Sequence, residues 1–146
     1  MRKKIETIDE LASVQQAARK MREKNISSLV VVDRDGKPQG LITERDLVRK
    51  VCTDDMPTSK VKNKEIMSYP LITIDSKSSP SIAADMMIQH NVRHLLVVDE
   101  YKDASSPVGI ITPLDFTTYQ EFANDEMNKE LLKRYWNTIY EYNEHR

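Results

Sequence analysis

Gly40-Leu41-Ile42-Thr43-Glu44-Arg45-Asp46 occurs a second time in this chain as Gly109-Ile110-Ile111-Thr112-Pro113-Leu114-Asp115. In each copy a glycine precedes two branched apolar residues, a threonine follows them, and an aspartate lies three positions beyond the threonine. An apolar pair running into Thr-x-x-Asp reads as the end of a buried strand and the start of a helix.

The agreement extends upstream. Thr7-Ile8-Asp9 matches Thr73-Ile74-Asp75, Ala17-Ala18 matches Ala83-Ala84, and Met21 matches Met87. Asn25 matches Asn91, Leu29 matches Leu95, and Val31-Val32-Asp33 matches Val97-Val98-Asp99. One constant offset relates all these pairs, and a short insertion within Glu100–Val108 then displaces the second phrase. Self-similarity on this scale is a duplication. A chain of 146 residues therefore holds one domain, or two small units sharing a core.

Each repeat predicts the same order of elements. A short strand comes first, around Ile5–Ile8 and Leu71–Ile74. A helix follows, with Ser13 as N-cap and Gln16 at the capping-box position in one copy. The other copy has Ser79 as N-cap and Pro80 at the first helical position. Val14, Ala17, Ala18 and Met21 form one apolar stripe; Ile82, Ala83, Met86 and Met87 form its partner. Asn25 and Asn91 stand where a left-handed helix cap belongs. The runs Leu29–Val32 and Leu95–Val98 are unbroken and apolar, as in strands covered on both faces. Asp35-Gly36 signals a turn, for which the second repeat substitutes a longer loop, Tyr101–Pro107. The repeated phrase then supplies a third strand and a second helix, Glu44–Cys52 and Pro113–Ala123. Thr53–Glu65 is polar, contains Pro57, and reads as the linker. The expected division is residues 1–58, residues 59–123 and a terminal helix over 124–146. The expected class is α/β, a duplicated β-α-β-β-α unit packed by pseudo-two-fold symmetry with clefts at the junction.

The formal net charge is −1, so the basic excess that a sequence-blind nucleic-acid binder needs is missing. Cys52 is the one cysteine, which excludes an internal disulfide and reads as a half-buried helix residue in a reducing compartment. The N-terminus shows no apolar core of a signal peptide, and no apolar run approaches the ~20 residues that span a bilayer. The expectation is a cytoplasmic protein with neither nucleic acid nor membrane as partner. His90 and His94 are spaced like metal ligands, but a cap at Asn91 would end the helix between them. A glycine-rich phosphate loop and a nucleophile elbow are both missing, and no nucleophile with a general base can be assembled, so no enzyme is expected.

Thr-x-x-Asp has two readings. It is close to a plain capping box, in which both side chains only satisfy backbone N–H groups. It also has the chemistry for a nucleotide. A carboxylate accepts two hydroxyl protons from a vicinal diol, a threonine hydroxyl suits a phosphate, and glycine permits close approach of a ligand. Recurrence after a buried strand in a duplicated unit favours the second reading.

The pattern resembles a tandem pair of cystathionine beta-synthase (CBS) domains, a Bateman module. The resemblance covers roughly residues 1–123. It is carried by Gly-Leu-Ile-Thr-Glu-Arg-Asp-Leu (40–47), Gly-Ile-Ile-Thr-Pro-Leu-Asp-Phe (109–116), Asn-Val-Arg-His-Leu-Leu-Val-Val-Asp (91–99) and Glu-Ile-Met-Ser (65–68). It implies a regulatory, non-catalytic protein that often dimerises and binds adenosyl ligands such as AMP, ADP, ATP or, less so, S-adenosylmethionine. On the matching positions, Asp46 and Asp115 would take ribose hydroxyls, with Thr43 and Thr112 near ribose or phosphate. Ile72 and Thr73, with Ile5 and Thr7 in the other half, would line adenine slots. Arg93 and His94 would reach phosphate in the cleft of Asp46. The first repeat has Ser27-Ser28 in place of Arg93-His94, so the clefts should differ in the charge of ligand they take.

After Ala123 the chain leaves the repeat. Met127, Leu131, Tyr135, Ile139 and Tyr142 recur every three to four positions in a stretch without glycine or proline. Such a stripe packs either on its own domain or on a second subunit of a homodimer. The rival function is accordingly an assembly module with vestigial clefts. If the stripe joins subunits, deleting residues 124–146 lowers the mass measured by light scattering; an unchanged mass rejects a dimerising helix.

Overall fold

The computed structural model describes residues 5–99 and 107–117, and the chain divides into a unit spanning Ile5–Leu71 and a second that begins at Ile72. The loop from 100 to 106, the end of the second repeat and the terminal helix expected over 124–146 lie outside the described residues.

The first unit runs β1 (Thr7–Asp9), α1 (Val14–Lys24), β2 (Ser28–Val32), β3 (Pro38–Thr43) and α2 (Glu44–Asp46). α2 continues directly as a π-helical segment, Leu47–Cys52, and α3 (Asn63–Ile66) follows. The second unit repeats the order as β4 (Thr73–Asp75), α4 (Pro80–His90), β5 (Leu95–Val98), β6 (Pro107–Ile111) and α5 (Pro113–Thr117). The expected β-α-β-β-α duplication is present. The helix expected over Glu44–Cys52 is there too, but it widens to π geometry after its first turn.

Each unit holds a three-stranded sheet with the middle strand from the apolar run, in the orders β1-β2-β3 and β4-β5-β6. β1 lies parallel to β2 with Thr7 opposite Val30, and β4 lies parallel to β5 with Thr73 opposite Leu96. The third strands are antiparallel, with Leu29 opposite Ile42 and Leu95 opposite Ile111. Even the irregularity is duplicated: the register shifts between Val31 and Val32 and again between Val97 and Val98. Such bulges increase the local twist of a strand pair.

The helices form where their caps predict. The Ser13 hydroxyl accepts from the Gln16 N–H at 3.2 Å, and the Gln16 side chain accepts from the Ser13 N–H at 3.0 Å. Ser79 caps α4, with Pro80 in its first turn. Asn25 and Asn91 both adopt the left-handed conformation, with φ of 50° and 52°. Beyond them, the N–H groups of Ile26 and Val92 return to the carbonyls of Met21 and Met87, at 2.9 and 3.0 Å. This double return satisfies carbonyls that a helix end leaves open.

α1 buries Val14, Ala17 and Met21 against Leu29, Val31 and Ile42 of the sheet, with Val51, Val61 and Ile66 closing the cluster. The second cluster joins Ala83, Ala84 and Met87 to Ile74, Leu95, Val97 and Phe116. Burying a side chain such as Leu29 stabilises by roughly 1.5–3 kcal/mol. Val30 and Leu96, on the opposite pleat, are buried as well, in agreement with strands covered on both faces. Two stripe positions differ from expectation. Ala18 is exposed, because the buried face of α1 is the narrow line Val14, Ala17, Met21. Ile82 is 51% exposed and Ala84 takes its place inside, because the face of α4 is centred on Ala83, Ala84 and Met87.

Residues 59–71 also depart from expectation. Assigned by sequence partly to a linker and partly to the second repeat, they pack on the first unit. The Val61 carbonyl accepts from the Val14 N–H at 2.9 Å. The fully buried Asn63 donates its amide N–H to the Asp9 carbonyl at 3.0 Å, and its backbone N–H bonds Ala12. A polar, proline-bearing composition hid three inward positions, Val61, Asn63 and Ile66. The segment ends by adding to the edge of β3, where Leu41 and Ser68 exchange backbone bonds of 3.0 and 2.9 Å. Gly40 makes room for it: a Cβ there would lie 2.7 Å from the Met67 sulfur and 2.8 Å from the Ser68 carbonyl oxygen. Cys52, expected half-buried, is exposed at the end of the π-helical segment. No helix among the described residues is long and apolar enough to cross a membrane.

Two measurements check this account. Urea unfolding of Asn25→Ala should show a loss of about 1–2 kcal/mol, the cost of a left-handed L-residue with a Cβ, while Asn25→Gly stays near wild type. Gly40→Ala should cost about 1–3 kcal/mol, because Met67 and the Ser68 backbone must shift.

Candidate functional site

β3 ends in extended backbone at Thr43, and the chain turns there into α2. The turn is closed by side chains. Oδ2 of Asp46 accepts from the Thr43 N–H at 3.0 Å and from the Thr43 hydroxyl at 3.1 Å. The Asp46 N–H in turn donates to the Thr43 hydroxyl oxygen at 3.1 Å. Two capping functions are thus satisfied reciprocally, and Asp46 is buried, only 8% exposed. The plain capping reading of Thr-x-x-Asp is realised in full.

The other oxygen of Asp46 is also engaged. Oδ1 lies 3.1 Å from the Lys50 ammonium and 3.4 Å from the Ser68 hydroxyl. Lys50 stands one helical turn beyond Asp46, donates to the Ile66 carbonyl at 2.9 Å, and keeps 44% of its side chain exposed. Helical i, i+4 spacing makes the Lys50 partnership readable in advance. Ser68 arrives through the β3-edge pairing, and nothing local in the sequence signals it. Both residues are additions to the expected site.

The second copy follows the first. Oδ2 of Asp115 accepts from the Thr112 N–H at 2.7 Å and from its hydroxyl at 3.4 Å. Both expected aspartates therefore turn one oxygen onto the backbone of their own repeat.

The remaining candidates divide by element. Thr7 and Thr73 open β1 and β4 with exposed side chains, while Ile8 and Ile74 face the cores. Ile72 is half-buried and packs on the second core, and its carbonyl accepts from Leu96. The residue that makes the equivalent bond in the first unit is Glu6, to Val30, so Glu6 rather than Ile5 is the counterpart of Ile72. Ile5 is half-buried beside it. Glu6 lies 3.6 Å from the Lys20 ammonium, which also donates to the Thr7 carbonyl.

Arg93 and His94 lie between the α4 cap and β5, both half-buried. In the first unit Ser28 pairs with Thr43 across the β2–β3 ladder. His94 and Thr112 are the next residues along the matching ladder beyond the Leu95–Ile111 pair. At the position of Ser28 the second repeat carries His94. His90 ends α4 and Asn91 reverses the chain behind it, so His90 and His94 share no helical face.

The chain is similar to known proteins in sequence and in fold. The CBS domain family matches residues 1–53 and 64–121. An uncharacterized protein of Methanopyrus kandleri is 34% identical over 116 residues, which is 80% of this chain and 58% of that protein. The chain spans between 30% and 58% of the length of this and two other curated relatives. Among solved structures, an uncharacterized conserved protein from Pyrococcus horikoshii superimposes with a TM-score of 0.72 at 30% identity, over 86% of this chain and 89% of that one. A CBS domain protein from Pyrobaculum aerophilum complexed with AMP superimposes with a TM-score of 0.72 over 83% of this chain and 89% of that one, at 22% identity. The family match covers both repeats, and the chain belongs to the CBS domain family.

Proposed function

We propose that this chain is a regulatory protein that binds an adenosyl ligand of the AMP, ADP or ATP class, with S-adenosylmethionine a weaker candidate. It acts by passing a ligand-dependent change of shape to a partner protein. The observation that carries this reading is the Thr-x-x-Asp turn, built twice with the same carboxylate geometry at the end of the same strand. The AMP complex of the Pyrobaculum aerophilum protein supports the choice of ligand.

In this reading Asp46 and Asp115 accept ribose hydroxyls, and Thr43 and Thr112 lie near ribose or phosphate. Capping occupies Oδ2 of each aspartate, so the diol addresses Oδ1. Ile5, Thr7, Ile72 and Thr73 contribute to adenine recognition, and the exposed threonines offer hydroxyls for it. Arg93 and His94 add positive charge for phosphate, which Ser27 and Ser28 do not. The protein is not itself an enzyme, works in the cytoplasm and forms a homodimer. Regulation requires that the ligand bind one conformation better than another, since equal affinity shifts nothing.

Calorimetry on the full chain with AMP, ADP, ATP, S-adenosylmethionine and NADH tests the reading. Saturable binding of an adenine nucleotide is expected, weakened about ten- to a hundredfold by Asp46→Asn or Asp115→Asn through loss of charge-assisted hydrogen bonds. Arg93→Ala should weaken ATP more than adenosine. Binding of none of the five, in a protein whose circular dichroism shows it folded, rejects the reading.

A further inference from the structure

The lone pairs of Asp46 are already in use. A carboxylate offers about four acceptor directions. Here Oδ2 takes the Thr43 N–H and hydroxyl, and Oδ1 takes the Lys50 ammonium and the Ser68 hydroxyl. A ribose diol that donates to this carboxylate must therefore displace something. The Oδ2 pair closes the turn between β3 and α2, and losing it would open the helix start. The Oδ1 pair is easier to exchange. The Ser68 contact is long, at 3.4 Å, and the Lys50 side chain is 44% exposed, so water can take over its ammonium as it leaves.

We propose that Lys50 is a built-in competitor for the ribose site: it occupies Oδ1 of Asp46 in the ligand-free protein and yields that oxygen to a ribose hydroxyl. The proposal rests on the reading of Asp46 as the ribose acceptor and adds the group that sets its affinity. Lys50 also holds the carbonyl of Ile66, the last residue of α3, at 2.9 Å. In this proposal the ammonium swings out and leaves both acceptors together, which frees the end of α3. The next two residues, Met67 and Ser68, are those that lie over Gly40 and pair with β3. Ligand entry at the turn is in this way tied to the segment that closes the first unit. In the sequence of the second repeat, the position four residues after Asp115 is Tyr119 rather than a lysine.

The test uses the full chain, with Lys50→Met to keep the aliphatic stem and Lys60→Met as an exposed-lysine control from the same unit. Calorimetry with AMP should show Lys50→Met binding about two- to fivefold tighter than wild type, the range of an exposed i, i+4 ion pair, and Lys60→Met unchanged. The Ile66 carbonyl carbon, followed by NMR, should move when AMP is added to wild type. It should already be moved in ligand-free Lys50→Met. Weaker or equal AMP binding by Lys50→Met overturns the proposal while leaving the nucleotide reading standing. So does AMP binding to wild type with an unmoved Ile66 carbon. Absence of AMP binding in both proteins overturns the competition for AMP and leaves the wider reading to the five-ligand series, whereas binding that Asp46→Asn leaves intact overturns the reading of Asp46 and the competition with it.

Discussion

The carboxylate of Asp46 is the point on which the first unit turns. It closes the β3–α2 corner through Thr43, reaches the next helical turn through Lys50, and meets the β3-edge segment at Ser68. Strand, helix and linker are thereby joined at one nearly buried charge. Leaving such a group buried without partners would cost several kcal/mol; with charged and neutral donors on both oxygens, the burial is offset. The same carboxylate is the chemical group best suited to a sugar diol. In the proposed function, capping and ribose recognition share one carboxylate, with the cap on Oδ2 and the diol addressing Oδ1.

The duplicated architecture was legible because its signals are local and occur twice. Ser13 with Gln16, Ser79 with Pro80, and Asn25 and Asn91 at the left-handed caps each act within one or two turns of chain, and each is found where spacing places it. The apolar runs gave the central strands for the same reason. What escaped depends on distant parts of the chain. Nothing in Thr53–Glu65 announces that Val61 and Asn63 reach back to α1, to the end of β1 and to the loop between them, because their partners lie tens of residues away. Ala18 and Ile82 were misplaced because the width of a buried helical face is set by what packs on it.

The site shows the same division. Thr43 with Asp46 and Thr112 with Asp115 come together because three residues of helix bring them together. Lys50 could have been added by helical spacing. Ser68 could not, since it depends on Gly40 allowing another stretch of backbone to lie against β3. The glycine of the repeated phrase was expected to clear space for a ligand. In the first unit that space is filled by Met67 and Ser68 of the chain itself.

Two sheets with the same strand order, the same register and the same bulge raise a question of self-recognition while the chain is still folding. Near-identical strands such as β2 and β5 could each accept the other's neighbours, and tandem repeats are prone to that kind of exchange. The topology works against it. Every ladder in each sheet joins segments that are close in sequence, so correct partners meet after short loop closures. Fidelity in this duplicated chain is thus a matter of which encounter happens first.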